Sequence, residues 1–144
     1  MGQSHEAREL DTLQFHELTA ADVMERVIQS AHQRTKGDVL ASMMIEGFGG
    51  VPIVDDAHRL VGLVTEFDLL AALDSGTRLD DLAAHDVMTC EPLRVTPHTD
   101  VRTVMHVLQT NHFIRVPVVD GEGTLVGIVA RRDVLRGYLS SKAG

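Results

Sequence analysis

The sequence lacks several features that whole classes of protein require. Its single cysteine, Cys90, excludes a disulfide within the chain and indicates a reducing compartment. No apolar run approaches the roughly 18 residues of a transmembrane helix, and the polar start does not resemble a signal peptide. A formal net charge of −8 argues against nucleic acid or an anionic membrane as the main partner. We therefore expect a soluble, cytoplasmic protein.

Clusters of catalytic or metal-binding residues are also missing. None of the eight histidines forms a His-x-x-x-His pair, and no group of cysteines accompanies them. No paired carboxylates and no Ser/His/Asp arrangement stand out as a catalytic site. The sequence therefore predicts no metal site, no catalytic cofactor and no enzyme.

What the sequence does contain is an internal duplication. Residues 51–55 (VPIVD) recur 65 positions later as residues 116–120 (VPVVD). The offset is 64 where residues 22–24 (DVM) recur at 86–88, which predicts one additional residue in the second copy before Pro92. Such a repeat predicts two copies of one structural unit related by pseudo-twofold symmetry. Further matches at the offset of 65 are LVG at 60–62 and 125–127, Phe48 and Phe113, and Asp68 and Asp133.

The second copy predicts the order strand, helix, strand, strand, helix, which is a mixed α/β (α+β) fold. Its long helix is indicated by apolar residues at the spacing i, i+3, i+4, i+7. The predicted elements are a strand at 93–96, a helix carrying Val101, Val104, Met105 and Leu108, strands at 116–119 and 125–129 around a turn at 120–123, and a helix opening at Asp133 and ending near Tyr138.

The first copy repeats this order and gives the boundaries. Thr19-x-x-Asp22 has the spacing of a capping box and predicts a short helix. The other predicted elements are a helix carrying Val39, Leu40, Met43 and Met44, strands at 51–54 and 60–64, and a helix from about Glu66 to Leu73. The predicted organisation is an N-terminal arm at 1–18, a first unit at 19–73, a linker at 74–85, a second unit at 86–139 and a C-terminal tail at 140–144.

Together these motifs resemble a tandem pair of cystathionine-β-synthase (CBS) domains, also called a Bateman module. The resemblance rests on the Val-Pro strands and on residues 62–68 (GLVTEFD) and 127–133 (GIVARRD), and it covers about residues 19–139. It implies two sheets packed with helices around a central cleft that binds an adenosine compound. AMP, ADP or ATP is the expected ligand, with S-adenosylmethionine and NAD as alternatives. The resemblance also implies a homodimer that regulates an unidentified effector protein.

The resemblance assigns ligand contacts in both copies. Asp68 and Asp133 would accept the ribose hydroxyls, and Thr65 would help to hold the ribose or phosphate. Arg115 is the best phosphate candidate, because an arginine fork suits phosphate oxygens and this one precedes a buried strand. The other expected ligand-binding residues are Gly50, Val51, Pro52, Ile114, Val116 and Pro117 on the strands, Thr96 near the adenine, and Ala130, Arg131 and Arg132 at the last helix.

Each aspartate also has a purely structural interpretation. Thr65-x-x-Asp68 is a capping box in its own right, whereas Ala130 cannot cap through its side chain. We therefore expect no reciprocal cap at Asp133, which favours ligand contact there. The hypothesis is two unequal sites, in which the first copy has the full ribose motif and the second has the positive charge.

Two other functions stay open at this point. The chain would be an interaction scaffold without a functional nucleotide site if Ala130 and the Gly49-Gly50 pair mark degenerate sites. It would be a nucleotide hydrolase if it turned over ATP, although no nucleophile or base supports that.

Overall fold

The structure is a computed structural model that describes residues 14–46, 49–111 and 114–143. The repeat match between Phe48 and Phe113 and most of the predicted arm lie outside these residues. The described chain forms six α-helices, two 3₁₀ turns and six strands. The helices are α1 Ala20–Val23, α2 Gly37–Ile45, α3 Glu66–Asp74, α4 Ala84–Val87, α5 Val101–Thr110 and α6 Arg131–Ala143, and the 3₁₀ turns are Phe15–Glu17 and Leu79–Asp81. The strands are β1 Ala31–His32, β2 Gly50–Val54, β3 Leu60–Thr65, β4 Thr89–Cys90, β5 Arg115–Val119 and β6 Leu125–Ala130.

The predicted mixed fold and its main elements are confirmed. The apolar spacing in the second copy forms α5, which buries Val101, Val104 and Leu108. Both Val-Pro segments form β-strands, β2 and β5, whose residues after the first are all buried. Each of these strands pairs with the next strand in the sequence, as the repeat predicted.

Three details of the prediction are wrong. Residues 93–96 form no strand, because only Val95 makes a bridge, to Val118, and the Thr96 amide turns back to Thr99 Oγ1. The last helix continues past Tyr138 to Ala143, since Gly137 does not end it and no Gly or Pro lies between Tyr138 and Gly144. The additional residue of the second copy falls in α5, which has 10 residues where α2 has 9, and not before Pro92.

One compact unit consists of residues 29–92 and 123–125. Its four-stranded sheet has the order β1-β2-β3-β4, with β1 parallel to β2 and the other pairs antiparallel. The short helix α4 belongs to this unit, where the Ala84 amide donates to Thr35 O at 2.8 Å. The buried core comprises Ala31, Leu40, Met44, Val51, Ile53, Val64, Leu69 and Ala84.

The other compact unit comprises the described residues of 14–28, 93–122 and 126–143. Here β5 pairs with β6, and α1, α5 and α6 pack with them. The Ala20 amide donates to Thr99 O at 2.8 Å, the counterpart of the bond made by α4. The buried core comprises Leu18, Ala20, Val23, Val95, Val101, Val104, Leu108, Val116, Val118, Val129 and Val134.

The compact units therefore cut across the two sequence copies. Helix α1 begins the first copy but packs in the unit built mainly from the second, and α4, at the start of the second copy, packs in the unit built mainly from the first. Leu18 and Leu82, which the predicted arm and linker contain, are both buried. The predicted boundaries at 19–73 and 86–139 remain a prediction for the sequence repeat.

The start of α2 provides a test of this packing. A Cβ atom added at Gly37 would lie 2.6 Å from Leu79 O and 2.7 Å from Leu82 Cδ1. Because the nearer atom belongs to the backbone, we expect Gly37→Ala to lower the free energy of unfolding by about 1–3 kcal/mol. Urea denaturation would measure the change. The control is Gly121→Ala, where an added Cβ meets no atom within 4 Å. Equal urea midpoints for the two variants would contradict the close contact at Gly37.

Candidate functional site

The first predicted ribose motif lies where β3 meets α3. The backbone amide of Thr65 donates to Asp68 Oδ2 at 2.8 Å, and the Thr65 hydroxyl donates to the same oxygen at 3.1 Å. The Asp68 amide donates back to Thr65 Oγ1 at 3.4 Å. This reciprocal box occupies only Oδ2, and Oδ1 of the half-buried Asp68 accepts no hydrogen bond from the described residues. Gly50 is the β2 partner of Thr65, so no side chain projects there from β2.

At the equivalent motif, where β6 meets α6, the aspartate carboxylate is buried and both of its oxygens accept hydrogen bonds, and we call this aspartate closed. The Ala130 amide donates to Asp133 Oδ2 at 2.7 Å, and Arg136 Nη1 donates to Asp133 Oδ1 at 3.1 Å. Both carboxylate oxygens are therefore occupied, and the side chain is 1% exposed. As expected, the cap is not reciprocal, because Ala130 has no side-chain acceptor. Asp133 nevertheless caps α6 in one direction, since that bond needs only a backbone N–H, which alanine also has.

Arg136 was not identified from the sequence. Its side chain lies one helical turn beyond Asp133, and the i, i+3 spacing of opposite charges is the signal that indicates such a pair. The ion pair matters for function because Arg136 takes one acceptor position of Oδ1, and the burial of the carboxylate leaves little access to its remaining positions for a ribose hydroxyl.

The same capping bond also begins the two short helices. The Thr19 amide donates to Asp22 Oδ2, and the Ala83 amide to Asp86 Oδ2, each at 2.8 Å. Neither α1 nor α4 directly follows a strand of three or more residues. The cap itself is thus a structural device of this chain. Asp68 differs from Asp133 in the oxygen that its cap leaves open, and from the aspartates of the two short helices in following a long strand.

Two of the predicted basic residues, Arg115 and Arg132, lie near Asp133. Burial lowers the pKa of Arg115, the charge of Arg132 lowers it further, and the charge of Asp133 raises it. Arg115, Arg132 and Asp133 therefore lie close enough to interact. The lowered pKa means that this guanidinium is less well stabilised than it would be in water, so an anion beside it would be favourable.

Of the remaining predicted residues, Ile114 lies at the junction of β6 and α6, whereas Thr96 lies elsewhere in the same unit. The Arg131 amide donates to Ile114 O at 3.1 Å, which places Ile114 beside Ala130 at the start of α6. Thr96 directly follows Val95, which forms a bridge to Val118. Val118 lies four strand residues from Ile114, a separation of about 13 Å. The structure therefore does not bring Thr96 to Asp133 within this unit.

The apolar strand residues predicted to contact adenine are fully buried in their own units. These residues are Val51, Pro52, Val116 and Pro117. Their side chains fill the cores, so a contact with adenine stays a prediction for them.

The described residues contain neither a metal-binding cluster nor a membrane-spanning helix. In residues 14–46, 49–111 and 114–143 no three His, Cys, Asp or Glu side chains are grouped so that they could hold a metal ion. None of the helices in the described part has the length and apolar composition needed to cross a membrane.

A family model for the CBS domain matches the chain twice, at residues 20–75 and 84–140. The chain belongs to the CBS domain family. The two matches follow the sequence copies, and the two strand-to-helix junctions lie inside them. The resemblance inferred from the Val-Pro strands and the Gly-to-Asp segments is thereby confirmed.

Solved structures of CBS pairs have the same fold. CBSX2, a CBS-pair protein from Arabidopsis thaliana, is 30% identical, with a TM-score of 0.80 over 88% of this chain and 98% of that one. A structure of CBSX2 in complex with AMP gives a TM-score of 0.76 at 32% identity, over 87% of this chain and 98% of that one. The CBS domain pair of protein MJ0100, in complex with 5′-methylthioadenosine and S-adenosyl-L-methionine, is 26% identical, with a TM-score of 0.70 over 82% and 93%.

Curated relatives are longer than this chain. Inosine-5′-monophosphate dehydrogenase from Methanocaldococcus jannaschii is 29% identical over 114 residues, which are 79% of this chain and 22% of that enzyme. Across three such relatives the aligned part is 22%, 57% and 39% of the relative's own length. The likeness to the dehydrogenase therefore concerns about a fifth of that protein.

The two aspartates should differ in their contribution to stability. Asp133→Ala would leave the buried Ala130 amide without its acceptor and Arg136 without its partner, so we expect a loss of about 2–3 kcal/mol in the free energy of unfolding. Asp68→Ala removes a half-buried cap and should cost about 1 kcal/mol. Chemical denaturation of both variants measures this difference. A larger loss for Asp68→Ala would contradict the assigned hydrogen bonds.

Proposed function

We propose that this CBS pair is a regulatory module that binds an adenosine-containing ligand and signals its presence to a partner protein. AMP, ADP or ATP is the proposed ligand, ahead of S-adenosylmethionine and NAD. The support comes from the AMP bound to CBSX2 and the S-adenosyl-L-methionine bound to the MJ0100 pair. A ligand would act by favouring one of two conformations, and only to the extent that it binds the two with different affinity.

The observation that carries this proposal is the open oxygen of Asp68. A ribose diol needs an acceptor that the protein does not already use, and Oδ1 of Asp68 meets that need among the described residues. The carboxylate of Asp133 is 1% exposed and already paired with Arg136, so it is much less accessible to a ribose. We therefore propose that the ribose binds at the first-copy junction, and that the two sites are unequal.

Arg115 is proposed separately as a ligand for phosphate. Its half-buried guanidinium, next to the charge of Arg132, would be stabilised by an anion. The closed Asp133 at the same junction argues that the second copy provides positive charge rather than a ribose contact. A pair in which neither junction binds nucleotide would be the interaction scaffold, and the closed Asp133 is the observation that favours it.

We further propose that the protein is not an enzyme, that it is cytoplasmic and that it is a homodimer regulating an unidentified effector. The absence of a catalytic constellation in the sequence supports the first point, and the single exposed Cys90 supports the second. Exposed apolar side chains on α3 and α6, such as Phe67 and Leu135, support self-association.

Thermal unfolding with and without ligand tests the nucleotide proposal. AMP, ADP, ATP, NAD and S-adenosylmethionine would each be added to wild type, Asp68→Asn and Asp133→Asn. A ligand at 100 times its Kd adds about 2.7 kcal/mol, which would raise Tm by roughly 5–10 °C. We expect Asp68→Asn to abolish the shift and Asp133→Asn to retain most of it.

The matched control is Asp86→Asn. Asp86 makes the same capping bond on α4 and should leave the ligand-induced shift unchanged. If no compound shifts the Tm of wild type, the scaffold is the better description. If Asp133→Asn alone abolishes the shift, the ribose site lies in the second copy.

Comparison of AMP with adenosine tests the role of Arg115. Because charge-assisted hydrogen bonds contribute about 1.5–3 kcal/mol, Arg115→Gln should weaken AMP binding roughly 10- to 100-fold and leave adenosine binding unchanged. Isothermal titration calorimetry measures both affinities, with Arg132→Gln as the control for loss of a nearby charge. Equal weakening of AMP and adenosine by Arg115→Gln would show that Arg115 does not contact the phosphate.

A further inference from the structure

The surface between α5 and α6, which we call the α5–α6 face, combines a pocket with exposed apolar side chains. The pocket has a volume of about 480 Å³ and is lined by Met105, Leu108, Gln109, Arg131, Val134 and Leu135. Leu135 is 65% exposed, and Leu139, one helical turn further along α6, is 64% exposed. Clustered exposed apolar side chains next to a pocket are typical of a surface that binds another protein segment.

The α5–α6 face is basic, although the whole chain has a net charge of −8. Helices α5 and α6 contain one acidic residue, Asp133, and five exposed basic residues, which are Arg102, Arg131, Arg132, Arg136 and Lys142. Arg136 pairs with Asp133. No salt bridge among the described residues involves Arg102 or Arg131. The face therefore favours a partner that carries both acidic and apolar side chains.

The described chain begins beside this face. Its first element is the 3₁₀ turn Phe15–Glu17, which follows residue 14. The ring of Phe15 meets the ring of Tyr138 on α6 edge-on, with 5.5 Å between the ring centroids. Phe15 also packs against the same buried core as Met105, which lines the pocket. Tyr138 lies about 6 Å along α6 from Val134 in the pocket, since four helical residues rise by that distance.

Residues 1–13 have the composition that the α5–α6 face favours. They contain one basic side chain and three acidic ones, Glu6, Glu9 and Asp11. Leu10 and Leu13 are apolar and stand among or next to the acidic residues. Thirteen residues span up to roughly 45 Å when extended, so this segment is long enough to reach the pocket from Phe15.

The matched surface between α2 and α3, which we call the α2–α3 face, does not suit the same segment. Its pocket of about 380 Å³ includes Leu70, the sequence counterpart of Leu135. Helices α2 and α3 contain no basic residue within their bounds and four acidic residues, Asp38, Glu66, Asp68 and Asp74. Like charges across a contact are unfavourable, so an acidic segment would be repelled there. The repeat thus provides a control surface of similar shape and opposite charge.

We propose that residues 1–13 bind to the α5–α6 face of their own chain, with their leucines over the pocket and their acidic side chains beside the exposed arginines. Because the segment is tethered at Phe15, its effective concentration at the face is on the order of millimolar, and weak contacts are sufficient. Since Leu135 is also proposed to support self-association, the bound segment would compete with a second copy for this face. The inference does not depend on nucleotide binding.

Labelling of a cysteine at the pocket with N-ethylmaleimide tests the inference in the full chain. In a Cys90→Ser background, Leu135→Cys would be combined with the natural segment or with Glu6→Lys, Glu9→Lys and Asp11→Lys together. We expect this charge reversal to raise the labelling rate about fivefold, as for a face that the natural segment covers about 80% of the time. With the natural segment, raising NaCl from about 0.1 M to 1 M should also raise the rate, because the Debye length falls from about 10 Å to about 3 Å.

Leu70→Cys in the same background is the matched control, and the charge reversal should leave its labelling rate unchanged. Equal rates at Leu135→Cys with the natural and the reversed segment would overturn the inference, as would an equal rise at Leu70→Cys. The difference at Leu135→Cys should persist when the protein is diluted, because a segment of the same chain is not diluted with it. A difference that disappears on dilution would assign the protection to a second copy and overturn binding within one chain.

Disulfide formation gives a measurement that does not depend on charge. In the Cys90→Ser background, chains with both Leu10→Cys and Leu135→Cys would be treated with oxidised glutathione and mapped by mass spectrometry. The inference predicts a disulfide within one chain, formed faster than in the matched chain with Leu10→Cys and Leu70→Cys. Disulfides mainly between chains, or equal rates for the two pairs, would overturn it. Each of these outcomes leaves the ligand-induced shift in Tm unaffected, so failure here is distinguishable from failure of the proposed function.

Discussion

A hydrogen bond from a backbone amide to the aspartate three residues further on begins four of the six described helices. Its length is 2.7–2.8 Å in all four cases. Because the donor belongs to the backbone, the bond is made equally well after threonine in the first copy and after alanine in the second. The bond determines where β3 ends and α3 begins, and where β6 ends and α6 begins. It also holds one carboxylate oxygen at each junction. The other oxygen is the one that the cap leaves available to a ligand.

The exchange of short helices explains why the two copies need each other. A repeat of about 60 residues buries only about 60% of its surface and is marginally stable alone. Helix α1 adds Ala20 and Val23 to the core of one unit, and α4 adds Ala84 to the core of the other. Matched amide bonds to Thr99 O and Thr35 O hold the two helices in equivalent places. Each compact unit is therefore completed by a segment from the other sequence copy.

Features set by local pattern could be predicted from the sequence. The repeat around the Val-Pro strands, the amphipathic α5 and the strand-to-helix junctions all follow from residue types at fixed spacing. A strand was predicted at residues 93–96 because apolar and polar residues alternate there. No strand forms, because Pro97 has no backbone N–H and the Thr96 amide donates to a side chain. The end of α6 was missed because nothing between Tyr138 and Gly144 marks a stop.

The candidate site was predictable in its residues but not in its asymmetry. The spacing found Thr65, Asp68 and Asp133, since each stands at a motif position. It could not show that Arg136 occupies the second oxygen of Asp133, because an i, i+3 pair of opposite charges on a helix is often exposed and weak. Burial turns this pair into the feature that separates the two junctions. The copies also differ in charge, since α2 and α3 contain four acidic residues and no basic one, whereas α5 and α6 contain five basic residues and one acidic one.

We propose that the two copies have diverged so that only the first-copy junction accepts the ribose. A crystal structure of the protein with saturating AMP tests this most directly. We predict one nucleotide per chain, with its ribose hydroxyls on Asp68 and the Arg136–Asp133 pair intact. Equal occupancy at both junctions with matching aspartate contacts, or a ribose on Asp133 alone, would contradict the claim.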